Sequence, residues 1–222
     1  SFFFNFYRCI CHRDVLVYQK SKVYSGCVKY LVGVDEVGRG PLAGPVAVCA
    51  LMVRGDLLRK LGRIRDSKGL SEAQRKEWFI KVRAFQKDGD LDFAVTYARE
   101  KTIDTIGIVP AVRRALSRSL QKLEREPSEC LVLLDGGLEA PEEYENQETI
   151  IRGDATETII ALASIVAKVY RDRRMIRLSK KYPGYGFEKH KGYGTRAHYE
   201  ALQKFGSSPI HRLSFLSKII SR

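Results

Sequence analysis

Four carboxylate residues stand at the ends of predicted strands and helices in this 222-residue chain. Asp35 and Glu36 follow the first predicted strand, Asp135 follows a later strand, and Asp154 precedes a long helix. Active-site residues of α/β proteins usually occupy such element ends. Carboxylates that share one cleft repel each other unless a cation neutralises them, and no histidine or cysteine lies beside these four. The set therefore predicts an oxygen-ligated site for Mg²⁺ or Mn²⁺.

Each of these carboxylates also has a structural explanation. Asp154 could cap the following helix, with Glu157 three residues further on, and Asp135 could form a turn with the glycines after it. Asp35 and Glu36 are neighbours, and neighbouring side chains on a regular strand face opposite sides. Both can enter one site only if the strand bends, which the glycines on either side of the pair allow. Any one carboxylate alone favours a structural role, whereas the four together favour a site.

The glycines between residues 33 and 40 do not match a nucleotide-binding loop. A P-loop needs Lys and then Ser or Thr after its last glycine, but Gly38 is followed by Arg39 and Gly40. The dinucleotide-binding pattern needs a third glycine at a fixed offset, and this segment lacks it. Both kinds of nucleotide site are excluded by spacing.

The charge balance is typical of a protein with a polyanionic partner. The chain has 39 Lys and Arg residues against 26 Asp and Glu, a formal net charge of +13. This positive charge is explained either by binding to nucleic acid or by solubility alone. The five cysteines lack the spacing of a zinc site, so we expect reduced thiols and a cytoplasmic location. No segment is long and apolar enough to cross a bilayer, so no membrane partner is expected.

Short apolar, β-branched runs predict strands, and amphipathic runs predict helices between them. The predicted strands are residues 30–34, 46–53, 91–97, 130–134 and 150–151. The predicted helices are residues 71–86, 112–123, 157–180, 198–205 and 213–220. Ser71 and Gln74 have the spacing of a capping box, and Ala161, Ala163 and Ala167 let the long helix pack closely on a sheet. The first two strands are too closely connected to be parallel, so the expected fold class is α/β, a mixed β-sheet flanked by helices.

One domain is expected over residues 28–222, ending in a C-terminal helical region. The sequence contains no internal repeat, low-complexity tract or linker that would divide it. Residues 1–27 are aromatic and basic without clear periodicity. We interpret them as an N-terminal extension whose order the pattern leaves open.

Several sequence blocks stand in a fixed order between residues 31 and 216. The first is DEVGRGPLAGPV at residues 35–46. The others are DSKGLS at 66–71, DG at 135–136, RGD at 152–154, ASIVAKVYRD at 163–172, KGYGT at 191–195 and HRLSF at 211–215. Together they closely resemble the motifs of bacterial ribonuclease HII, a family of type 2 ribonucleases H. An ordered set is far more specific than one motif, although Arg152 stands where the family more often has Lys.

The resemblance implies an RNase H-like fold and a metal-dependent endoribonuclease. Its substrates would be RNA–DNA hybrids and duplex DNA with embedded ribonucleotides. Cleavage on the 5′ side of the ribonucleotide would leave a 3′-hydroxyl and a 5′-phosphate. By their positions in the family motifs, the catalytic carboxylates that bind Mg²⁺ or Mn²⁺ would be Asp35, Glu36, Asp135 and Asp154.

The resemblance also implies a set of substrate-binding residues. Gly38, Arg39 and Gly40 would form the loop that senses the ribose 2′-hydroxyl, the group that distinguishes RNA from DNA. Tyr193 would pack against the sugar on the 3′ side of the cleaved bond. Lys68 is a candidate phosphate contact, although a solvated loop lysine is an equally simple interpretation.

Other titratable residues are weaker candidates for the site. Asp172 lies about 27 Å from Asp154 if both occupy one straight helix with a rise of about 1.5 Å per residue. Because that separation is too long for one metal site, Asp172 is predicted to be structural. His190, His198 and His211 are predicted to be surface or packing residues, since metal-activated water needs no histidine base.

A second hypothesis, from a different functional class, is that the protein is not an enzyme. A non-catalytic protein could bind hybrids or duplexes through the same basic surface. The four carboxylates argue against it, because without a metal ion they would repel phosphate. We therefore predict a metal-dependent endoribonuclease, and we expect it to act as a monomer.

Overall fold

The computed structural model describes residues 28–54, 57, 62, 64 and 69–220, except for the side chains of residues 217–220. The predicted extension over residues 1–27 and the candidate phosphate contact Lys68 both lie outside the described residues. Within the described residues, no helix is long and apolar enough to cross a membrane.

Five strands in the described part of the chain form one sheet. Their bounds are Tyr30–Val37 (β1), Val46–Arg54 (β2), Leu91–Ala98 (β3), Cys130–Asp135 (β4) and Gln147–Ile150 (β5). Their order in the sheet is β3-β2-β1-β4-β5. β2 pairs antiparallel with β1 and β3. β4 pairs parallel with β1 and β5. The mixed sheet is therefore confirmed, with the change from antiparallel to parallel pairing at β1.

The helices confirm most of the predicted positions. Their bounds are Glu72–Lys87 (α1), Glu100–Ile106 (α2), Ile108–Gln121 (α3), Gly153–Thr156 (α4), Thr158–Lys181 (α5), Phe187–His190 (α6), Arg196–Phe205 (α7) and Leu213–Ile220 (α8). The predicted capping box is present at α1, where Ser71 Oγ accepts from Gln74 N and Ser71 N donates to Gln74 Oε1. The helix predicted at 112–123 instead starts at Ile108, after Gly107 ends α2 with a φ of 82°.

The sheet is covered by helices on both faces, and each face has its own hydrophobic core. On one face α1 and α5 pack against the strands. On the other face α3 contacts β2 and β3, and its buried residues include Val112, Leu116 and Leu120. A third, smaller cluster joins the loop residue Ala43 and Met175 of α5 to α6 and α7. The predicted C-terminal helical region therefore packs onto the loop that follows β1.

Close packing between α5 and β1 depends on small residues on both elements. Ala161, Ala163 and Ala167 are fully buried against the sheet. A Cβ atom placed on Gly33 of β1 would lie 2.4 Å from the backbone oxygen of Ile159. The helix backbone thus approaches β1 too closely for any side chain at position 33, as the small residues of α5 predict.

Gly33→Ala should destabilise the protein by about 1–3 kcal/mol, the usual cost of overpacking a core, because the helix must move away from β1. Gly137→Ala is the matched control, since a Cβ there meets nothing within 4 Å. Urea unfolding followed by circular dichroism measures both. Equal stability of the two variants would show that α5 can shift without cost.

Candidate active site

A cavity opens where β1 and β4 separate. Their parallel pairing ends at Val34 and Leu134, and the next residue of each strand is a carboxylate, Asp35 on β1 and Asp135 on β4. The cavity has a volume of about 350 Å³ and includes both residues and Glu36 in its wall. Parallel strands present their carboxyl ends at one edge of the sheet, so two distant segments deliver acidic side chains to one place.

Asp35 lies deep in this cavity, with 4% of its surface exposed. Its Oδ1 accepts from the backbone N–H of Glu36 at 2.7 Å, and the Ser164 side chain of α5 hydrogen-bonds to the carboxylate. Burial, followed by the neighbouring charges of Glu36 and Asp135, raises the pKa of Asp35 well above its ordinary value. The ionised form of Asp35 is therefore destabilised in the cavity, and a bound cation would stabilise it.

Glu36 occupies the same cavity although it is the next residue along the strand. The bend expected from the flanking glycines does not interrupt the strand, since β1 stays in register with β2 through Val37. Pairing with β4 ends at Val34, so the edge of β1 is free at both carboxylates. Glu36 Oε1 accepts from Arg39 Nη1 at 3.1 Å, and burial raises the pKa of Glu36. The second oxygen, Oε2, is buried and has no hydrogen-bond partner among the described residues.

Asp154 contacts Asp135 from outside the cavity wall. It is 1% exposed, on the short helix α4, and its backbone N–H donates to Asp135 Oδ1 at 3.3 Å. The cavity wall contains the other three predicted carboxylates but not Asp154. Gly153 keeps α4 close, since a Cβ there would lie 2.6 Å from Cδ1 of Ile160 and 3.5 Å from Asp135 Oδ1.

The donor chemistry of this cavity suits a hard divalent cation, because carboxylate oxygens are the ligands that Mg²⁺ and Mn²⁺ prefer. The unpartnered Glu36 oxygen and the destabilised Asp35 anion are consistent with such an ion. Within the described residues, no three Asp, Glu, His or Cys side chains already stand at metal-ligand spacing. The fit therefore rests on the donor set and its electrostatics.

The predicted ribose-sensing loop, Gly38 to Gly40, lies at the rim of the cavity. Gly38 has a φ of 102°, and a Cβ on it would lie 2.0 Å from Nε of Arg171. Arg212 binds two carbonyls of this loop: Nη2 donates to the carbonyl of Gly38 at 2.7 Å, and Nη1 donates to that of Arg39 at 2.7 Å. The backbone at 38–40 is thereby fixed in one conformation.

Two buried arginines form the floor under this loop. Both Arg171 and Arg212 have 0% exposure. Arg212 also donates from Nε and Nη2 to the carbonyl of Gly44, and Arg171 donates from Nε to Pro45 and from Nη2 to Lys191. Burial, with the charge of Arg171 second, lowers the pKa of Arg212 to about 10. Neither arginine was predicted as a site residue. The available signals were their places in the ASIVAKVYRD and HRLSF blocks.

Tyr193 faces the same cavity from the segment after α6. It is 45% exposed, and the Arg171 guanidinium lies 5.8 Å from its ring centroid. A Cβ on Gly40 would lie 4.0 Å from Tyr193 Cε1, so the ring borders the predicted ribose loop. The structure thus places the loop and the tyrosine side by side, although they come from two separate motifs of the sequence.

Two cationic residues in the cavity wall were not predicted. Arg75 of α1 and Lys168 of α5 line it beside the carboxylates. Lys168 also pairs with Asp172 at 2.8 Å, which agrees with the structural role predicted for Asp172. α4 and α5 are separate helices divided at Glu157, so the straight-helix distance from Asp154 does not apply. The ASIVAKVYRD block contained the signal for Lys168.

The three predicted packing histidines lie outside the cavity wall. His198 and His211 are buried, and their Nε2 atoms are 3.0 Å apart. His190 stacks on His198 with ring centroids 4.5 Å apart. Their packing around Phe187 confirms the structural interpretation of the set.

This fold, a mixed sheet between helices with acidic residues where its central parallel strands separate, defines an RNase H-like nuclease. The family model of ribonuclease HII matches residues 32–218. The chain is 45% identical to ribonuclease HII of Endomicrobium trichonymphae over 194 residues, covering 86% of this chain and 89% of that protein. The chain therefore belongs to the ribonuclease HII family, the type 2 ribonuclease H endoribonucleases.

Solved structures agree with this assignment. Ribonuclease H2 from Pyrococcus horikoshii OT3 matches with a TM-score of 0.64 and 26% identity, over 87% of this chain and 98% of that one. Bst-RNase HIII in complex with Mn²⁺ shares the fold with a TM-score of 0.64 and 19% identity, over 86% of this chain and 69% of that one. Family membership decides between the two predicted classes in favour of the enzyme.

Arg212→Lys should lower the free energy of unfolding by about 3 kcal/mol. The planar guanidinium of Arg212 donates to three carbonyls, and a single ammonium group would leave some of these buried carbonyls without a donor. Arg196→Lys is the control, at an exposed ion pair with Glu200, and should leave stability unchanged. Guanidinium unfolding of both variants measures the difference. A stable Arg212→Lys protein would mean that the loop does not need this contact.

Proposed function

We propose that this enzyme hydrolyses the RNA strand of RNA–DNA hybrids and cuts on the 5′ side of single ribonucleotides embedded in duplex DNA. The products are a 3′-hydroxyl and a 5′-phosphate. The observation that carries the proposal is the shared cavity of Asp35, Glu36 and Asp135, bordered by the Gly38–Gly40 loop and by Tyr193. Catalytic acids and ribose-recognition groups thereby meet at one edge of the sheet.

The carboxylates serve as ligands for Mg²⁺ or Mn²⁺. Asp35, Glu36 and Asp135 would hold the cation, with Asp154, which donates its backbone N–H to Asp135, as the fourth proposed ligand. A divalent ion supplies a lowered water pKa and neutralises charge on the phosphate in the transition state. The Mn²⁺ complex of Bst-RNase HIII supports this choice of ion.

The chain itself positions and orients the reacting groups. Ser164 and the Glu36 backbone hold the Asp35 carboxylate, and Arg39 holds one oxygen of Glu36, so both acids are fixed before substrate binds. Pre-organised charges of this kind contribute most of the stabilisation in many active sites. Attack of water on the phosphorus breaks the bond to the 3′-oxygen, and the proton of the water goes to solvent as the 3′-oxygen is protonated.

Substrate selection resides in the rim of the cavity. Gly38 and Gly40 let the backbone approach a ribose closely, and the 2′-hydroxyl is the feature that distinguishes RNA from DNA. The Tyr193 ring packs on the deoxyribose that follows the ribonucleotide, on the 3′ side of the cleaved bond. Arg75 and Lys168 in the wall, together with Lys68, bind backbone phosphates, which fixes the duplex without reading its sequence.

A DNA duplex with one ribonucleotide tests this function. The enzyme should cut it with Mg²⁺ or Mn²⁺ and not with EDTA, and should leave an all-DNA duplex intact. End-labelled products resolved beside chemical markers identify the cleaved bond and its 3′ end. Cleavage that persists in EDTA, or a cut on the 3′ side, would contradict the proposal.

In the same assay Asp35→Asn should reduce the rate by about a hundredfold or more, equivalent to about 3 kcal/mol. The substitution keeps the shape of the side chain and removes its charge. Asp172→Asn is the matched control outside the cavity wall and should remain active. Wild-type turnover by the Asp35 variant at saturating Mg²⁺ would remove this residue from the site.

Tyr193→Ala should lose most activity on a single embedded ribonucleotide and less on a continuous hybrid. The single ribonucleotide is followed by a deoxyribose that the ring contacts, and displacement of the reacting phosphate by about 1 Å costs on the order of a hundredfold in rate. Tyr193→Phe keeps the ring and should preserve the ratio of the two rates. An equal loss on both substrates with a lower melting temperature would indicate that Tyr193 only packs.

A further inference from the structure

The buried histidine pair forms part of a chain of hydrogen bonds that ends at Tyr193. His198 Nδ1 lies 2.9 Å from the carbonyl oxygen of Tyr193. His198 Nε2 lies 3.0 Å from His211 Nε2. His211 Nδ1 lies 2.8 Å from both the backbone nitrogen and the hydroxyl of Ser208, and 3.3 Å from its carbonyl oxygen. Every ring nitrogen of the pair is therefore in contact with a polar atom.

The backbone groups at the two ends determine where the ring protons are. The Ser208 N–H can only donate and lies 2.8 Å from His211 Nδ1, and the Ser208 hydroxyl can donate there as well. The Ser208 carbonyl is farther from Nδ1, at 3.3 Å, and already accepts from the His211 N–H at 2.9 Å. His211 Nδ1 is therefore unprotonated and its proton is on Nε2. His211 Nε2–H then donates to His198 Nε2, which leaves the proton of His198 on Nδ1. That proton points at the Tyr193 carbonyl, which can only accept. Both rings are neutral, and each donor in the chain meets one acceptor.

The backbone around Tyr193 is held from several sides. The N–H of Thr195 donates to the same carbonyl at 2.8 Å, and the N–H of Tyr193 donates to the carbonyl of His190. His190 Nδ1 accepts from Gly192 N at 3.2 Å. The ring of Tyr193, by contrast, is nearly half exposed. The backbone sets where the Cα–Cβ bond of Tyr193 points, and the Arg171 guanidinium, 5.8 Å from the ring centroid, flanks the ring.

We propose that His198 is a positioning residue that orients the Tyr193 ring toward the substrate sugar through its Nδ1–H bond to the Tyr193 carbonyl. His211, anchored on Ser208, fixes the His198 tautomer that makes this bond possible. The inference rests on the proposed contact between Tyr193 and the sugar. It adds that substrate selectivity depends on the proton position of a buried ring outside the cavity wall.

Two amide substitutions separate the contacts of the two His198 nitrogens. His198→Asn places an amide nitrogen near the former Nδ1 and keeps a donor for Tyr193, whereas His198→Gln places its amide near the former Nε2 and keeps only the link to His211. Each variant loses one ring contact, so a purely structural role predicts equal effects. Melting temperature and kcat and KM on both substrates are measured for each.

His198→Gln should reduce the ratio of the rates on single-ribonucleotide and continuous-hybrid substrates by about tenfold or more, through kcat. His198→Asn should keep that ratio within about twofold of the wild type, because the donor to Tyr193 remains. Equal ratios for the two variants would overturn the inference. If both variants unfold, His211→Asn and His211→Gln repeat the comparison one step along the chain, with Gln keeping the donor to His198.

The Tyr193→Ala background distinguishes failure of this inference from failure of the proposed function. There, His198→Gln should not change the substrate ratio any further, since the ring it positions is gone. An additional loss of selectivity in that background would show that His198 acts elsewhere. A Tyr193→Ala protein with an unchanged substrate ratio would overturn the proposed sugar contact itself, whatever the histidine variants do.

Discussion

The loop between β1 and β2 keeps its shape because two buried guanidinium groups hold its carbonyls. Arg171 comes from α5 and Arg212 from the segment before α8, and both are fully buried. Burying two like charges is costly, and the lowered pKa of Arg212 reflects that cost. Their hydrogen bonds to backbone carbonyls between Gly38 and Pro45 offset it. A helix, a C-terminal segment and the first hairpin are thereby joined around one loop.

The same contacts connect the two segments that we propose to face the substrate, the Gly38–Gly40 loop and the segment with Tyr193. The backbone N–H of Leu42 donates to the carbonyl of Gly192, and the N–H of Arg212 donates to the carbonyl of Leu42. Arg171 reaches the carbonyl of Lys191 and lies against the Tyr193 ring. Groups carried on loops need such support to keep a fixed geometry. The carboxylates, in contrast, are placed by strand pairing. The acidic half of the site and the half proposed to bind ribose are therefore positioned by different forces.

Much of the fold followed from local patterns in the sequence. Apolar runs predicted β1 to β4, and the spacing of Ser71 and Gln74 predicted the start of α1. The small residues of α5 predicted its close packing on the sheet, which the structure shows at Gly33. Elements without such a signal were misplaced or missed. β5 is Gln147–Ile150, a polar strand, so hydrophobicity placed it too late. α2, α4 and α6 are short and depend on tertiary contacts instead of an apolar face.

The sequence by itself determined which residues we propose to carry the chemistry, because carboxylates at element ends, a glycine-containing motif and their fixed order are properties of the chain alone. Only the tertiary structure decided how they meet. Pairing of β1 with β4 brings Asp35 beside Asp135, places Asp154 behind the cavity wall and opens one edge to both Asp35 and Glu36. The sequence around Arg212 did not predict its role, because Arg212 binds the carbonyl of Gly38, far earlier in the chain. The role proposed for His198 depends on the position of a ring proton, which its contacts with Tyr193 and His211 determine.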